Sequence, residues 1–383
     1  MIRKQIGKLI TQAEFDDYAR LRKQWTDAKQ NPPQSAQQAL VVKESGPEAP
    51  VTHVLLRGNP MSEGDLVEPG YPSVLGEEAP QVDRPASGES TGRRRALAEW
   101  IASPKNPLTS RVIVNRIWQW HFGRGLVRSS NNFGLQGDRP THPELLDWLA
   151  AELVEQGWSI KALHRLILTS RTYQMASTPN PAALEQDPLN DLLWRFDPRR
   201  LRAEEIRDSI LAVNDTLNLD RMYGPSIYPE LPPEVLAGQS RPGEGWHTSA
   251  PDEAARRSVY IHVKRSLQVP LLAAFDMAET DSTCPERFVS TQPTQALGML
   301  NSEFLRKQAA LLEASASKAA AGLPDQVAET LRRVMQREPT GDEIDRGLTL
   351  IRDLQEQHGL TAGEARRYFS LVALNLNEFV YLD

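Results

Sequence analysis

The chain has 383 residues, 40 % of them hydrophobic and 25 % charged, which is ordinary globular composition with apolar content enough for a sizeable core. A formal charge of −6 and a pI near 5.8 argue against nucleic acid or an anionic membrane surface as the main partner; R-R-R at 93–95 and R-R at 199–200 and 256–257 read as local ion-pair donors or helix-end charges. There is no apolar run of the ~18 residues needed to span a membrane, and the single cysteine, Cys284, excludes an internal disulfide.

In chain order, residues 11–30 read as an amphipathic helix opened by a Thr11/Glu14 capping box, with Phe15, Tyr18, Leu21 and Trp25 on one face that needs something to dock on. Nine prolines between Asn31 and Thr91 forbid long helices, so 31–92 reads as a proline-rich junction or wrap in which only 52–57 has strand character. From Arg93 to 383 helical periodicity dominates. Six of the eight tryptophans fall between 100 and 194, which locates the main core there. A helix over 108–122 is predicted, with Asn106 as cap, Pro107 at its start and Gly123 at its end; it is apolar all round except for a stripe of Arg111, Asn115 and Gln119. Arg116 beside that stripe needs a carboxylate, for which Glu204 or Asp208 is the expected partner.

Thr141 and Glu144 are expected to cap a helix that ends at Gly157, with Leu145, Leu146, Trp148, Leu149 and Leu153 facing inward. Ser159 then caps a helix to about Thr169 that carries Ile160, Leu163, Leu166 and Ile167 to the same core. The next predicted helix covers 203–217. Strict alternation over 256–264 predicts a strand whose partner is 52–57, and Thr340 to Glu343 forms a further capping box. The fold class is mainly α, a bundle-like multi-helix domain with a two- or three-stranded β element and long irregular loops.

Phosphate loops, H-E-x-x-H, G-x-S-x-G and paired C-x-x-C motifs are all missing, so any chemistry rests on a dispersed site and catalytic residues cannot be named. The richest candidate is the loop 121–142, where His121, Asn131, Asn132, Asp138, Arg139 and His142 lie among four glycines that allow close backbone approach to a sugar or a carboxylate. Asn115, Arg116, Glu204, Arg207 and Asp208 are the candidate buried polar network. No metal site is expected, and His164 reads as a hydrogen-bonded core histidine.

The motifs V-N-R-I-W-Q-W-H-F-G-R-G-L-V, N-N-F-G-L-Q-G, T-H-P-E-L-L-D-W-L-A, G-W-S-I-K-A-L-H-R-L-I, R-R-L-R-A-E-E-I-R-D and T-Q-P-T-Q-A-L-G-M-L-N, in this order, resemble the C-terminal planctomycete-specific domain of unknown function. The resemblance runs from about residue 93 to the C-terminus. It implies family-typical positions without assigned roles at Asn115, Arg116, His121, Asn132, Phe133, His142, Trp148, His164, Arg207 and Asp208. It also implies an extracytoplasmic setting beside a cytochrome-c-like domain and, at times, a sulfatase-like neighbour. C-P-E-R lacks the haem-attachment pattern, so haem is expected in a partner rather than in this chain. The chain departs from the family by starting at a Met just ahead of the junction, as a fragment or a split locus would. Two functions compete: a non-catalytic binding or assembly module, and a polysaccharide hydrolase or lyase built on loop 121–142 with Asp208. A weaker third is haem held by His121 or His164 with Met175.

Overall fold

In the computed structural model, which describes residues 11–30, 41–42, 44, 46–76, 79–86, 88–282, 284 and 286–383, the chain is mainly α with two small antiparallel two-stranded sheets. Helix α1, Gln12–Gln30, opens on the expected capping box: the Glu14 carboxylate accepts from Thr11 N at 2.7 Å, and Thr11 Oγ1 accepts from Glu14 N at 3.2 Å. Its Tyr18, Leu21 and Trp25 lie open to solvent.

The strand at 52–57 forms, but not with its expected partner. It pairs as β1, His53–Leu55, with β2, Glu63–Leu66, through a turn in which Arg57 and Gly58 take positive φ. Closing a loop of a few residues costs far less chain entropy than pairing across two hundred. The segment 256–264 is not a strand: Ser258–Tyr260 is a 3₁₀ turn, and Ile261 makes only an isolated bridge to Ile227. Alternation there misled because the Ser258 N–H that a ladder would use is donated to Asp208 instead, at 2.7 Å.

Beyond the junction come α2, Arg93–Ile101, α3, Thr109–Phe122, α4, Pro143–Glu155, and α5, Ile160–Leu168. Asn106 Oδ1 accepts from the backbone N–H of Leu108 and Thr109, and Gly123 at φ +81 ends α3 in the left-handed conformation. Helix α4 lacks the expected Thr141 cap. With Pro143 at its first position, Thr141 lies one residue too early, and its N–H is given to Leu126 O at 2.9 Å. Leu146, Leu149, Ala150 and Leu153 form the buried stripe of α4, and Trp148, half a turn away from it, is 52 % exposed rather than inward. Ile160, at the start of α5, is likewise exposed, while Ser159 caps that helix through Ala162 N as expected. Together α3, α4 and α5 bury Val114, Ile117, Trp118, Phe122, Leu163 and Ile167 in one hydrophobic cluster. Each such side chain stabilises the fold by ~1.5–3 kcal/mol on removal from water.

The C-terminal half of the chain builds a second, larger cluster. After α6, Pro181–Gln186, and β3, Arg199–Arg200, comes α7, Ala203–Val213. Helix α7 stops short of 217, with Asn214 at its C-cap donating to Gln308 and Asp215 at φ +57. Four short helices each start on a proline, α8, Pro233–Ala237, α9, Pro251–Ala254, α10, Pro270–Ala274, and α11, Pro293–Asn301. Longer helices close the domain: α12, Glu303–Ala319, α13, Leu323–Met335, α14, Gly341–His358, and α15, Ala362–Ala373. The predicted Thr340/Glu343 box caps α14. After α16, Asn377–Val380, the strand β4, Tyr381–Leu382, pairs with β3, and Leu382 packs on the first cluster while Val380 and Tyr381 pack on the second.

Candidate functional site

The polar stripe of α3 is consumed in structure. Asn115, fully buried, donates from Nδ2 to Val127 O at 2.9 Å and accepts from Val127 N at 2.8 Å, the two bonds a neighbouring strand would make. A Cβ at Gly125 would lie 2.5 Å from Val127 O and 2.6 Å from Asn115 Nδ2, so only glycine fits that crossing. Gln119 Oε1 accepts from Ser130 Oγ at 3.0 Å, and Arg111 reaches Asp147 on α4 at 2.7 Å.

The loop between α3 and α4 folds upon itself. Asn131 accepts from the Arg116 guanidinium, and Asn132 Oδ1 accepts from Gly134 N at 3.0 Å. Ser129 Oγ donates to Asn132 O at 2.9 Å and accepts from Asp138 N at 2.7 Å. Asn131, Asn132, Asp138 and Arg139 are exposed on its outside, and His142 Nδ1 lies 3.0 Å from Thr141 Oγ1. His121 turns the other way, to α5, with Nε2 2.7 Å from His164 Nδ1 and the Tyr173 ring edge-on at 5.6 Å. Burial, the facing His164 and the Arg199 charge hold the His121 pKa below the ordinary histidine value. Of the six loop positions, His121 is therefore tied to α5, while Asn131, Asn132, Asp138 and His142 bond within or beside the loop.

The five residues of the expected buried network come together only in part: Arg207 and Asp208 stand 3.9 Å apart and share Ser258 Oγ, while Asn115 and Arg116 lie on α3 and Glu204 turns to another partner. Glu204 forms a two-pronged pair with Arg287 at 2.5 and 2.9 Å, and Asp208 accepts from Ser258 N and Oγ, both at 2.7 Å, with Arg257 at 3.6 Å. Neither meets Arg116, because α3 belongs to the first cluster and α7 to the second.

Arg207 leads to a different place. It lines a cleft of about 630 Å³ bordered by α7, α9, α10, α11, α12 and the proline-rich segment 229–232. The walls are apolar, set by Leu211, Leu231, Leu271, Phe275, Met299 and Phe304. Buried in the wall, the Arg207 guanidinium donates from Nη1 to Arg256 O at 3.2 Å and Ser258 Oγ at 3.1 Å, and from Nη2 to Ala254 O at 2.5 Å. Burial brings its pKa down to about 10, against the pull of Asp208 at 3.9 Å. Thr216, Gln295, Asn301, Ser302 and Gln308 add neutral polar lining, with Gln295 already bonded to Ala274 O and Gln308 to Asn214 Nδ2. At the mouth Lys307 bridges Glu230 at 2.7 Å and Glu303 at 3.1 Å. No histidine or cysteine lines the cleft, and among the described residues no group of three or more His, Cys, Asp or Glu side chains is placed to hold a metal ion. Such a hollow can host an apolar group beside one buried cation. A second hollow of about 710 Å³, bordered by α13, α14 and α15, has Glu343 and Glu378 on its rim already tied to Arg337.

Of the sequence candidates only Arg207 borders the cleft. Its other walls come from five separate stretches of chain. The sequence marks them by the prolines that open α8 to α11 and by T-Q-P-T-Q-A-L-G-M-L-N, which supplies Gln295, Gly298, Met299 and Asn301. Among the described residues no helix is long and apolar enough to cross a membrane. Residues 93–351 match the family model described as PSD1, protein of unknown function (DUF1553). No curated protein and no solved structure matches the chain.

Proposed function

The chain belongs to the PSD1 family of proteins of unknown function (DUF1553), and on that premise we propose that it is a non-catalytic α-helical binding module whose ligand enters the cleft beside Arg207. The cleft itself carries the proposal. Its volume of about 630 Å³ sits within the range of roughly 300–1,000 Å³ typical of small-molecule sites, and its apolar walls with a few fixed polar groups have the usual composition of one. The wider setting suggested by the motif resemblance belongs to the same proposal: a planctomycete-specific domain outside the cytoplasm, beside a cytochrome-c-like partner that carries any haem, with a sulfatase-like neighbour. An assembly role draws support from α1, whose exposed Tyr18, Leu21 and Trp25 offer an apolar face to a partner. The carbohydrate-acting alternative draws less, since Asp208 and the polar side chains of loop 121–142 do not meet.

Titration with the apolar fluorescent anion 8-anilinonaphthalene-1-sulfonate tests this. Gly298 borders the cleft, and a Cβ there meets nothing within 4 Å, so a larger side chain has room to enter and Gly298→Trp serves as the blocking variant. The folded wild type is expected to bind the dye with saturable fluorescence, and Gly298→Trp to weaken binding by about tenfold or more, which is ~1.4 kcal/mol. Equal binding by both proteins would refute the assignment.

A further inference from the structure

We infer that the cleft takes a long-chain monocarboxylate, with its head group on the spare donors of Arg207 and its hydrocarbon tail along Leu231, Leu271, Phe275, Met299 and Phe304. This rests on the cleft being the binding site. A guanidinium carries five N–H donors. Three are spent on Arg256 O, Ser258 Oγ and Ala254 O, and among the described residues no bond is made by Nε–H or by the second Nη2 hydrogen. One Arg207 face is also turned to the Phe304 ring, 5.7 Å from its centroid, on the cleft wall.

The charge on Arg207 is incompletely answered. Asp208, at 3.9 Å from Nη1, is the carboxylate beside it, and that group already serves Ser258 and Arg257. A cation buried among apolar side chains, bonded mainly to neutral carbonyls, gains from an anion that brings its own negative charge. The mouth decides which anion. Glu230, Glu234 and Glu303 stand there against one ammonium, Lys307, so phosphates and other polyanions are repelled more strongly than a single carboxylate on an apolar tail. The walls favour the tail, because each methylene removed from water contributes ~0.8 kcal/mol.

Displacement of the bound dye by dodecanoate, dodecan-1-ol and dodecylammonium, each below its micellar concentration, tests the inference on the intact chain. Dodecanoate is expected to compete at least about tenfold better than the alcohol and the amine, and Arg207→Met to erase that preference while alcohol binding persists. Should Arg207→Met fail to fold, Arg207→Lys replaces it, with a reduced preference expected from the loss of the forked donors. Alcohol competing as well as dodecanoate against wild type overturns the carboxylate assignment and leaves the cleft as an apolar site. Dodecanoate binding that is untouched by Gly298→Trp overturns the cleft itself, and the inference falls with it.

Discussion

Asn115 holds Val127 as a strand neighbour would, and both ends of that contact are buried. Asn115→Ala leaves the Val127 N–H and carbonyl without partners in a dry site. Unsatisfied buried groups cost ~1–3 kcal/mol each, so the variant is expected to lose ~2–4 kcal/mol in urea unfolding. Asn132, exposed and bonded to Gly134 N, should lose less than about 1 kcal/mol on change to Ala. Equal losses would contradict the structural role given to the stripe. The stripe was legible from its four-residue spacing, but its partner was not: nothing in the sequence says that an asparagine pairs with a backbone twelve residues on. The His121–His164 contact was hidden in the same way, His121 reading as a loop ligand candidate and His164 separately as a core residue. Its consequence is pH dependence. The His121 pKa is depressed in the folded chain, so the unfolded chain binds the proton first; the stability this gives is complete above the ordinary value of 6.5 and is lost as pH falls through the lower folded value. Chemical denaturation from pH 7 to 5 should show stability falling less steeply in His121→Gln than in wild type, and a steeper fall would reverse the sign assigned here.

At the level of elements, sequence signals held where they were local and failed where tertiary bonds decided. The Thr11, Ser159 and Thr340 caps and the Gly123 and Gly157 stops stand where side-chain and glycine chemistry put them. The 256–264 alternation failed because Asp208, fifty residues away, takes the Ser258 N–H. Trp148 stands off the Leu146, Leu149, Ala150 and Leu153 stripe of α4, so helical phase rather than aromatic character sets its exposure. One glycine bears on helix packing more than its place inside α14 suggests. A Cβ on Gly347 would stand 2.7 Å from Val327 Cγ1 and 2.9 Å from Phe369 Cε2, both buried side chains of α13 and α15. Alanine improves helix propensity by up to ~1 kcal/mol, whereas overpacking a filled core costs ~1–3 kcal/mol. Overpacking should win, since neither neighbour is a free end that can swing aside. Gly347→Ala is therefore expected to lower the melting temperature, and a rise would show that the three helices separate easily.

The whole molecule has two hydrophobic clusters tied by the two-residue ladder of β3 and β4; four of the six motifs lie in the first, while R-R-L-R-A-E-E-I-R-D and T-Q-P-T-Q-A-L-G-M-L-N lie with the cleft in the second. Loop 121–142 drew attention because its polar residues are contiguous, yet contiguity in sequence served self-contained hydrogen bonding. The cleft escaped notice because its lining is apolar and scattered from Arg207 to Leu311, and scattered apolar residues read as core until the fold leaves them facing a void. Hydrogen–deuterium exchange of the full chain with and without saturating 8-anilinonaphthalene-1-sulfonate measures directly which region takes the ligand. Protection confined to amides of 229–232, 251–255, 269–275 and 295–311, with 121–142 unchanged, is the predicted result; protection of 121–142 with the cleft segments unchanged would contradict the account.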